Sequence, residues 1–110
     1  MIDNLLQAIA APRRREILQL VRVAERSSGA IAEHFDVTRP AVSQHLQVLV
    51  SAGLVTVRKA GTRRLYRARP EGLAELREFL ESFWDERLLR LQQAAEAEQR
   101  RIDRDDRNPT

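Results

Sequence analysis

The fold is decided by residues 38–55, which read TRPAVSQHLQVLVSAGLV. Thr38 can cap a helix, and Pro40 suits the first turn because that turn leaves its N–H groups without helical partners. Apolar residues then recur at steps of four and three and should form one buried face: Val42, Leu46 and Leu49. We expect the helix to run to about residue 52, where Gly53 can end it with a left-handed backbone.

A shorter helix is predicted immediately before this one. Ser27-Ser28-Gly29 interrupts the preceding pattern and offers an N-cap, and residues 30–35 then carry apolar side chains at helical spacing. Asp36-Val37 forms the turn between the two helices, since aspartate tolerates a left-handed backbone better than most residues. Two short helices joined by so tight a turn predict a helix-turn-helix.

Two β-like runs follow, at residues 54–60 and 63–68, and Gly61-Thr62 between them is typical of a two-residue hairpin turn. A hairpin behind a helix-turn-helix predicts a winged helix-turn-helix, mainly α with a small β-hairpin wing. Four basic residues surround a tip narrow enough to follow a DNA backbone or enter a minor groove: Arg58, Lys59, Arg63 and Arg64. The alternative is an edge hairpin whose charges only prevent aggregation.

Further helices are predicted at both ends of the chain. Residues 2–10 place apolar side chains at helical spacing, Pro12 opens a second helix, and Pro70 opens a long final one. We expect one domain over residues 1–97. The almost entirely polar residues 98–110 should form a charged, disordered tail.

The apolar stripes of the first and last helices predict a homodimer. A chain of 110 residues has only a modest core, so pairing with a second copy would add stability. The residues expected in this interface are Leu5, Leu6, Ile9, Phe79, Phe83, Trp84, Leu88 and Leu91. The alternative for the aromatic members is that they line an effector pocket.

Charge is distributed unevenly along the chain. Residues 12–69 contain twelve Lys/Arg against four Asp/Glu, a net charge of +8, while the remainder carries −5 and the whole chain +3. A basic middle suits a polyanionic partner, because phosphate neutralisation dominates nucleic-acid affinity. Arg13, Arg14 and Arg15 fall in the first turn of their helix, where the helix dipole disfavours cations, so they are either solvated or face a phosphate.

Composition argues against several other classes of protein. The chain has no cysteine, which removes disulfides and thiolate metal ligands. Apolar runs fall short of the ~20 residues of a membrane span, and the first residues do not resemble a signal peptide, so we expect a cytoplasmic protein. The sequence shows neither a nucleophile paired with a base nor a phosphate-binding glycine loop, so we predict no enzyme.

The polar face of the helix that begins after Thr38 is the predicted DNA-reading surface. Its glutamines could pair with adenine edges, its arginine with guanine or phosphate, and its hydroxyls with phosphate or a base edge. His45 is assigned to a DNA contact or a supporting hydrogen bond rather than to a metal. An ordinary amphipathic helix with a solvated face is the alternative. With the hairpin, the predicted contacts to double-stranded DNA are Thr38, Arg39, Ser43, Gln44, His45, Gln47, Arg58, Lys59, Arg63 and Arg64.

Four segments carry a resemblance to a known family: PRRREIL (12–18), RPAVSQHL (39–46), LVSAGLV (49–55) and GTRRLY (61–66). Over roughly residues 2–92 the chain resembles the ArsR family of bacterial winged-helix regulators. The resemblance implies a homodimer, built from the first and last helices, that binds an inverted-repeat operator near its own gene and usually represses. By position it gives recognition-helix roles to Ser43, Gln44 and His45, and wing roles to Arg63 and Arg64.

Departures from the family pattern bear mainly on metal sensing. Many members carry Cys-x-Cys at the start of the third helix, where residues 26–29 here hold no thiol. Others use His/Asp/Glu clusters on the last helix, where Asp85 and Glu86 point about 100° apart and make a poor chelate. We therefore expect no metal and no cofactor. Ala11 also replaces a familiar aspartate, which should weaken the cap of the second helix.

Two other function classes compete with the regulator. One is a protein-interaction module that keeps the winged-helix scaffold but has lost DNA binding. The other, which the residues favour least, is a small hydrolase or metalloenzyme.

Overall fold

The computed structural model describes residues 2–84 and 86–107, apart from the side chains at positions 88, 106 and 107. The helices and strands in chain order are α1 (Ile2–Ala10), α2 (Pro12–Val23), β1 (Arg26–Ser27), α3 (Ser28–Phe35), α4 (Arg39–Ser51), β2 (Val55–Ala60), β3 (Arg63–Ala68), α5 (Ala74–Glu81) and α6 (Glu86–Arg107). The chain divides into two compact units, Met1–Arg77 and Glu78–Thr110.

Side-chain caps and one left-handed residue shape the helix-turn-helix. Ser27 caps α3 by accepting a hydrogen bond from the N–H of Ala30 at 3.2 Å, and Thr38 caps α4 by accepting one from Ala41 at 3.3 Å. Between the helices, Asp36 has a φ of 51°, the one positive φ at a non-glycine residue in the described ranges. Both caps and the turn are those that the sequence predicted, and the helix-turn-helix is confirmed.

The wing belongs to a three-stranded antiparallel sheet with strand order β1–β3–β2. Ala60 pairs with Arg63, which leaves Gly61-Thr62 as the predicted two-residue turn, and Gly61 has a φ of 65°. The sequence analysis missed β1, because two residues are too few to show an alternating pattern. This strand anchors the wing to the helix-turn-helix, since Ser27 both pairs with Leu65 of β3 and caps α3.

An apolar core within the first unit holds α4 by one face. Burying a large aliphatic side chain contributes about 1.5–3 kcal/mol, so the three core residues of α4 fix its orientation firmly. The buried members are Leu5, Ala8, Ile17, Val21, Ile31, Ala32, Val42, Leu46, Leu49, Leu54 and Val55. The buried face predicted for α4 is confirmed, and the opposite face is left to solvent.

The arginines at the start of α2 have a role that the sequence analysis did not foresee. Arg14 donates hydrogen bonds to the carbonyl oxygens of Ala8 at 2.6 Å and Gln7 at 2.8 Å. Arg15 donates hydrogen bonds to the carbonyl oxygens of Ile9 at 2.7 Å and Ala10 at 3.1 Å. These are the last four carbonyls of α1, which no intrahelical N–H can satisfy. The two cations therefore cap the negative end of α1, which offsets their poor position at the start of α2.

The C-terminal part of the chain corrects two expectations. The long helix predicted from Pro70 is instead a 3₁₀ turn over Pro70–Leu73, then α5, a second 3₁₀ turn over Ser82–Trp84, and α6. Residues 98–107, expected to be disordered, continue α6, while residues 108–110 lie outside the described residues. Side-chain pairs one turn apart support these last turns, including Arg101 with Glu98 at 2.6 Å.

The residues predicted for a dimer interface occupy different environments. Leu5 is only 4% exposed, so it belongs to the core of the single chain and is removed from the predicted interface. Ile9 packs partly against the same core, while Leu6 is 40% exposed. In the second unit the apolar side chains are more open, at 46% for Phe79, 62% for Phe83 and Trp84, and 68% for Leu91. The Leu88 side chain lies outside the described residues.

Candidate nucleic-acid interface

The solvent face of α4 carries the polar residues that the sequence assigned to it. Ser43 and Gln44 are exposed, whereas Val42 and Leu46 beside them are buried. Because Val42 and Leu46 are packed in the core, α4 cannot rotate to bury Ser43 and Gln44 without exposing these apolar side chains. The Oγ1 atom of Thr38 accepts the capping bond at the first turn, and its O–H remains available as a donor.

A cleft of about 400 Å³ separates the start of α4 from the tip of the wing. It brings together four of the predicted DNA-binding residues: Arg39, Ser43, Arg63 and Arg64. The remaining lining residues in the described part of the chain are Ser27, Ser28 and Thr62, so the cleft contains three cations, four hydroxyls and no carboxylate. Such a lining is built to receive an anion.

The hairpin places like charges side by side. Lys59 lies directly across from Arg64 in the β2–β3 register, and both side chains are exposed. Like charges in this position destabilise an antiparallel pair unless a counter-charge approaches. The wing tip is therefore a second part of the surface where an anion would lower the free energy.

Arg58 is engaged within the protein. Its guanidinium makes two hydrogen bonds to the carboxylate of Glu25, at 2.8 and 2.7 Å. This hydrogen bond lowers the pKa of Glu25 and raises that of Arg58. The structure thus gives Arg58 the role of tying the wing to the loop after α2.

Two further predicted contacts lie apart from the cleft. Gln47 is exposed but lines a separate groove shared with Asn4 and Gln7 of α1. His45 is half-buried, and burial, followed by the charges of Arg14 and Arg13, lowers its pKa. A histidine in this setting is neutral at pH 7, so it offers a hydrogen bond rather than a charge.

Sequence analysis missed three contributors to the cleft, namely Ser27, Ser28 and Thr62. The two serines were noted only as a helix cap, and Thr62 only as a turn residue. A signal was available only for Thr62, which lies beside the wing arginines in the sequence. What brings them together is the pairing of β1 with β3, which could not be inferred from two residues of strand.

The described residues do not form a metal site. No group of three His, Cys, Asp or Glu side chains among them is placed to hold a metal ion, and Asp85 lies outside them. No described helix has the length and hydrophobicity needed to cross a membrane.

Comparison with known proteins identifies the family. Residues 11–57 match the model of a bacterial regulatory protein family, arsR. The chain is 44% identical over 96 residues to the HTH-type transcriptional regulator Rv2034 of Mycobacterium tuberculosis, covering 87% of this chain and 90% of that protein. It is 37% identical over 60 residues to the transcriptional repressor SdpR of Bacillus subtilis, covering 54% of this chain and 67% of that protein.

Solved structures agree with this assignment. The homodimeric winged helix-turn-helix DNA-binding domain of Mb0332 from Mycobacterium bovis superposes with a TM-score of 0.63 and 36% identity, covering 77% of this chain and 79% of that domain. Its described fold, a winged helix-turn-helix, is the one that the helix-turn-helix and the hairpin form in this chain. The chain therefore belongs to the ArsR family of bacterial winged helix-turn-helix transcriptional regulators.

Proposed function

We propose that the chain is a sequence-specific DNA-binding repressor that acts as a homodimer on an inverted-repeat operator. The observation that carries this proposal is the exposed polar face of α4 beside a cationic cleft and wing. Ser43 and Gln44 are held outward by a buried apolar face, so a major groove can receive them. The chain acts by binding rather than by catalysis, in the cytoplasm, where bacterial DNA lies.

The division of roles follows from chemistry. Gln44 presents both a donor and an acceptor and can pair with the N6 and N7 atoms of adenine. Lys59, Arg63 and Arg64 of the wing instead contact phosphates, which fix position and supply most of the sequence-independent affinity. Repression is supported by the name of the relative SdpR, a transcriptional repressor.

The homodimer is supported by two kinds of evidence. The Mb0332 domain of the same fold is homodimeric. In this chain, exposed rings pack edge to face, with centroids 5.2 Å apart for Phe79 and Phe83 and 6.3 Å apart for Phe83 and Trp84. A cluster of exposed aromatic side chains favours association, and the homodimeric Mb0332 domain supports a second copy of this chain as the partner.

An unbiased selection of bound DNA fragments tests the function. We expect the wild-type protein to recover a motif with two-fold symmetry, and Gln44→Ala to lose preference at specific positions within it. Gln19→Ala is the matched control, since it removes an exposed amide from α2 and should recover the wild-type motif. Failure of the wild-type protein to enrich any motif would contradict the proposal.

Dimerisation has a built-in probe because Trp84 is the single tryptophan of the chain. Its emission should shift to the red as the dimer dissociates on dilution, and sedimentation should show the same transition. Phe83→Ser should move this transition to higher protein concentration. A wild-type chain that sediments as a monomer at all concentrations would refute the homodimer.

A further inference from the structure

Arg39 has an unusual position for a residue at the start of a recognition helix. Its guanidinium lies back against Gly29 in the first turn of α3 rather than pointing along the solvent face of α4. A Cβ atom added at Gly29 would overlap Nη2 of Arg39 and stand 3.1 Å from Cζ and 3.2 Å from Nε. The missing side chain of Gly29 therefore makes room for this orientation.

Arg39 is not paired with a carboxylate of the described residues, although Glu33 and Asp36 line a second groove that Arg39 also lines. It makes no hydrogen bond or ion pair with any described residue, although most arginines of the first unit do. It lines the same cleft as Arg63, Arg64 and Ser28. Three guanidiniums around hydroxyls, without a carboxylate in the lining, favour one anion with several oxygens.

We propose that this cleft binds a single backbone phosphate of the DNA, and that Arg39 is a phosphate clamp rather than a base-reading residue. The inference rests on the proposed function and settles the choice between guanine and phosphate that the sequence left open. Arg39 closes the cleft from the helix side, and Arg63 and Arg64 close it from the wing. Gly29 is the positioning residue, because its lack of a side chain directs Arg39 into the cleft.

Arg39→Gln tests the clamp through the salt dependence of binding to a duplex that carries the selected motif. Each phosphate contact contributes about 0.9 to the slope of log K against log salt. A dimer that loses one contact per subunit should lose about 1.8 from that slope, with affinity lower by about tenfold or more at low salt. The selection should still recover the wild-type motif, because a phosphate contact carries no base information.

Neutral methylphosphonate linkages locate the contact on the DNA. Replacing phosphates of the duplex one at a time should reveal one position per half-site that weakens the wild-type protein more than it weakens Arg39→Gln, in which only Arg63 and Arg64 still contact that phosphate. Inorganic phosphate at the same ionic strength should not compete measurably, which distinguishes a phosphate of the DNA from a free phosphate ion.

Gly29→Ala moves Arg39 without altering its charge. The obstructing atoms belong to the far end of a flexible side chain, so the fold should be retained and thermal unfolding should be at or above the wild-type temperature. The affinity should fall toward that of Arg39→Gln, and the double variant should bind no more weakly than Arg39→Gln alone. Arg22→Gln is the charge control. It removes one positive charge from a residue that lies beside Leu54 and Ala68 at the base of the hairpin and does not line the cleft.

The outcomes separate the inference from the function. A reduced slope with an unchanged motif supports the clamp. A wild-type slope in Arg39→Gln, or loss of one base position from its motif, overturns the clamp while the DNA-binding function stands. A wild-type protein that binds no duplex overturns both.

Discussion

Replacing Arg14 with methionine should destabilise the protein much more than replacing its neighbour Arg13. Methionine keeps the aliphatic stem but removes the guanidinium that caps α1. Without it the carbonyls of Ala8 and Gln7 lose their 2.6 Å and 2.8 Å partners. The Ala8 bond is partly buried, so water cannot fully replace it.

The size of the effect follows from these contacts. A hydrogen bond to a charged group contributes about 1.5–3 kcal/mol when buried, and a cation at a helix C-terminus adds about 0.3–1 kcal/mol. With the more exposed bond to Gln7 discounted, Arg14→Met should lower the free energy of unfolding by about 2–3 kcal/mol. Arg13 makes only an exposed pair with Glu16 and a cation–π contact to Phe35, so Arg13→Met should cost about 1 kcal/mol or less.

Urea unfolding of the three proteins at one protein concentration measures this difference, since a dimer's stability depends on concentration. Hydrogen exchange adds a local readout, because amides of α1 should lose protection before those of α4 in Arg14→Met. Equal losses for the two variants would refute the capping argument. Wild-type stability of Arg14→Met combined with a reduced salt slope for DNA would instead assign Arg14 to a phosphate.

Three further predictions concern titration and close packing. Arg58→Gln should return the pKa of Glu25 toward its ordinary value, which a carbon-detected NMR titration would show. Because the folded pKa of Glu25 is lowered, the pair stabilises the protein at pH values above the ordinary pKa, and this stabilisation is lost as pH falls through the folded pKa. Arg14→Met should raise the pKa of His45, which can be measured from the chemical shifts of its ring protons. In the wild type this pKa is lowered, so the free energy of unfolding should decline as pH falls below about 6.5, where the unfolded chain begins to bind a proton that the folded chain does not. Gly72→Ala should cost about 1–3 kcal/mol in urea unfolding, because its Cβ would collide with the Gly53 carbonyl and lie 2.8 Å from its carbon, whereas Gly61→Ala meets no atom and should lose only the smaller cost of a positive φ.

Local chemistry explains which parts of the fold could be predicted. The caps at Ser27 and Thr38, the left-handed Asp36 and the hairpin turn at Gly61 each depend on a few adjacent residues, and all were recovered. The features that were missed depend on partners distant in sequence. Strand β1 exists because β3 lies beside it. The 3₁₀ turn over Ser82–Trp84, between α5 and α6, was not predicted from apolar residues that recur at steps of three and four with a few gaps.

In the candidate site, too, the features set by neighbouring residues could be predicted, and those set by residues distant in sequence could not. Exposure of Ser43 and Gln44 followed from the helical spacing of Val42 and Leu46 and could be predicted. The partners of individual arginines could not, because a guanidinium reaches atoms on other elements. Arg58 bonds to Glu25, 33 positions away, and Arg39 turns back to Gly29.

Many cations of the basic block, residues 12–69, make hydrogen bonds within the protein. Arg13, Arg22 and Arg58 are paired with side chains, while three further arginines donate to backbone carbonyls: Arg14, Arg15 and Arg69. Half of the twelve cations thus make hydrogen bonds within the protein, and two of them, Arg13 and Arg58, pair with a carboxylate. Counterion release depends only on cations that meet phosphates, so the electrostatic share of DNA binding falls to the few around the cleft and wing tip. Under the proposed function, the cations placed to contact phosphates are those beside α4 and at the wing tip: Arg39, Lys59, Arg63 and Arg64.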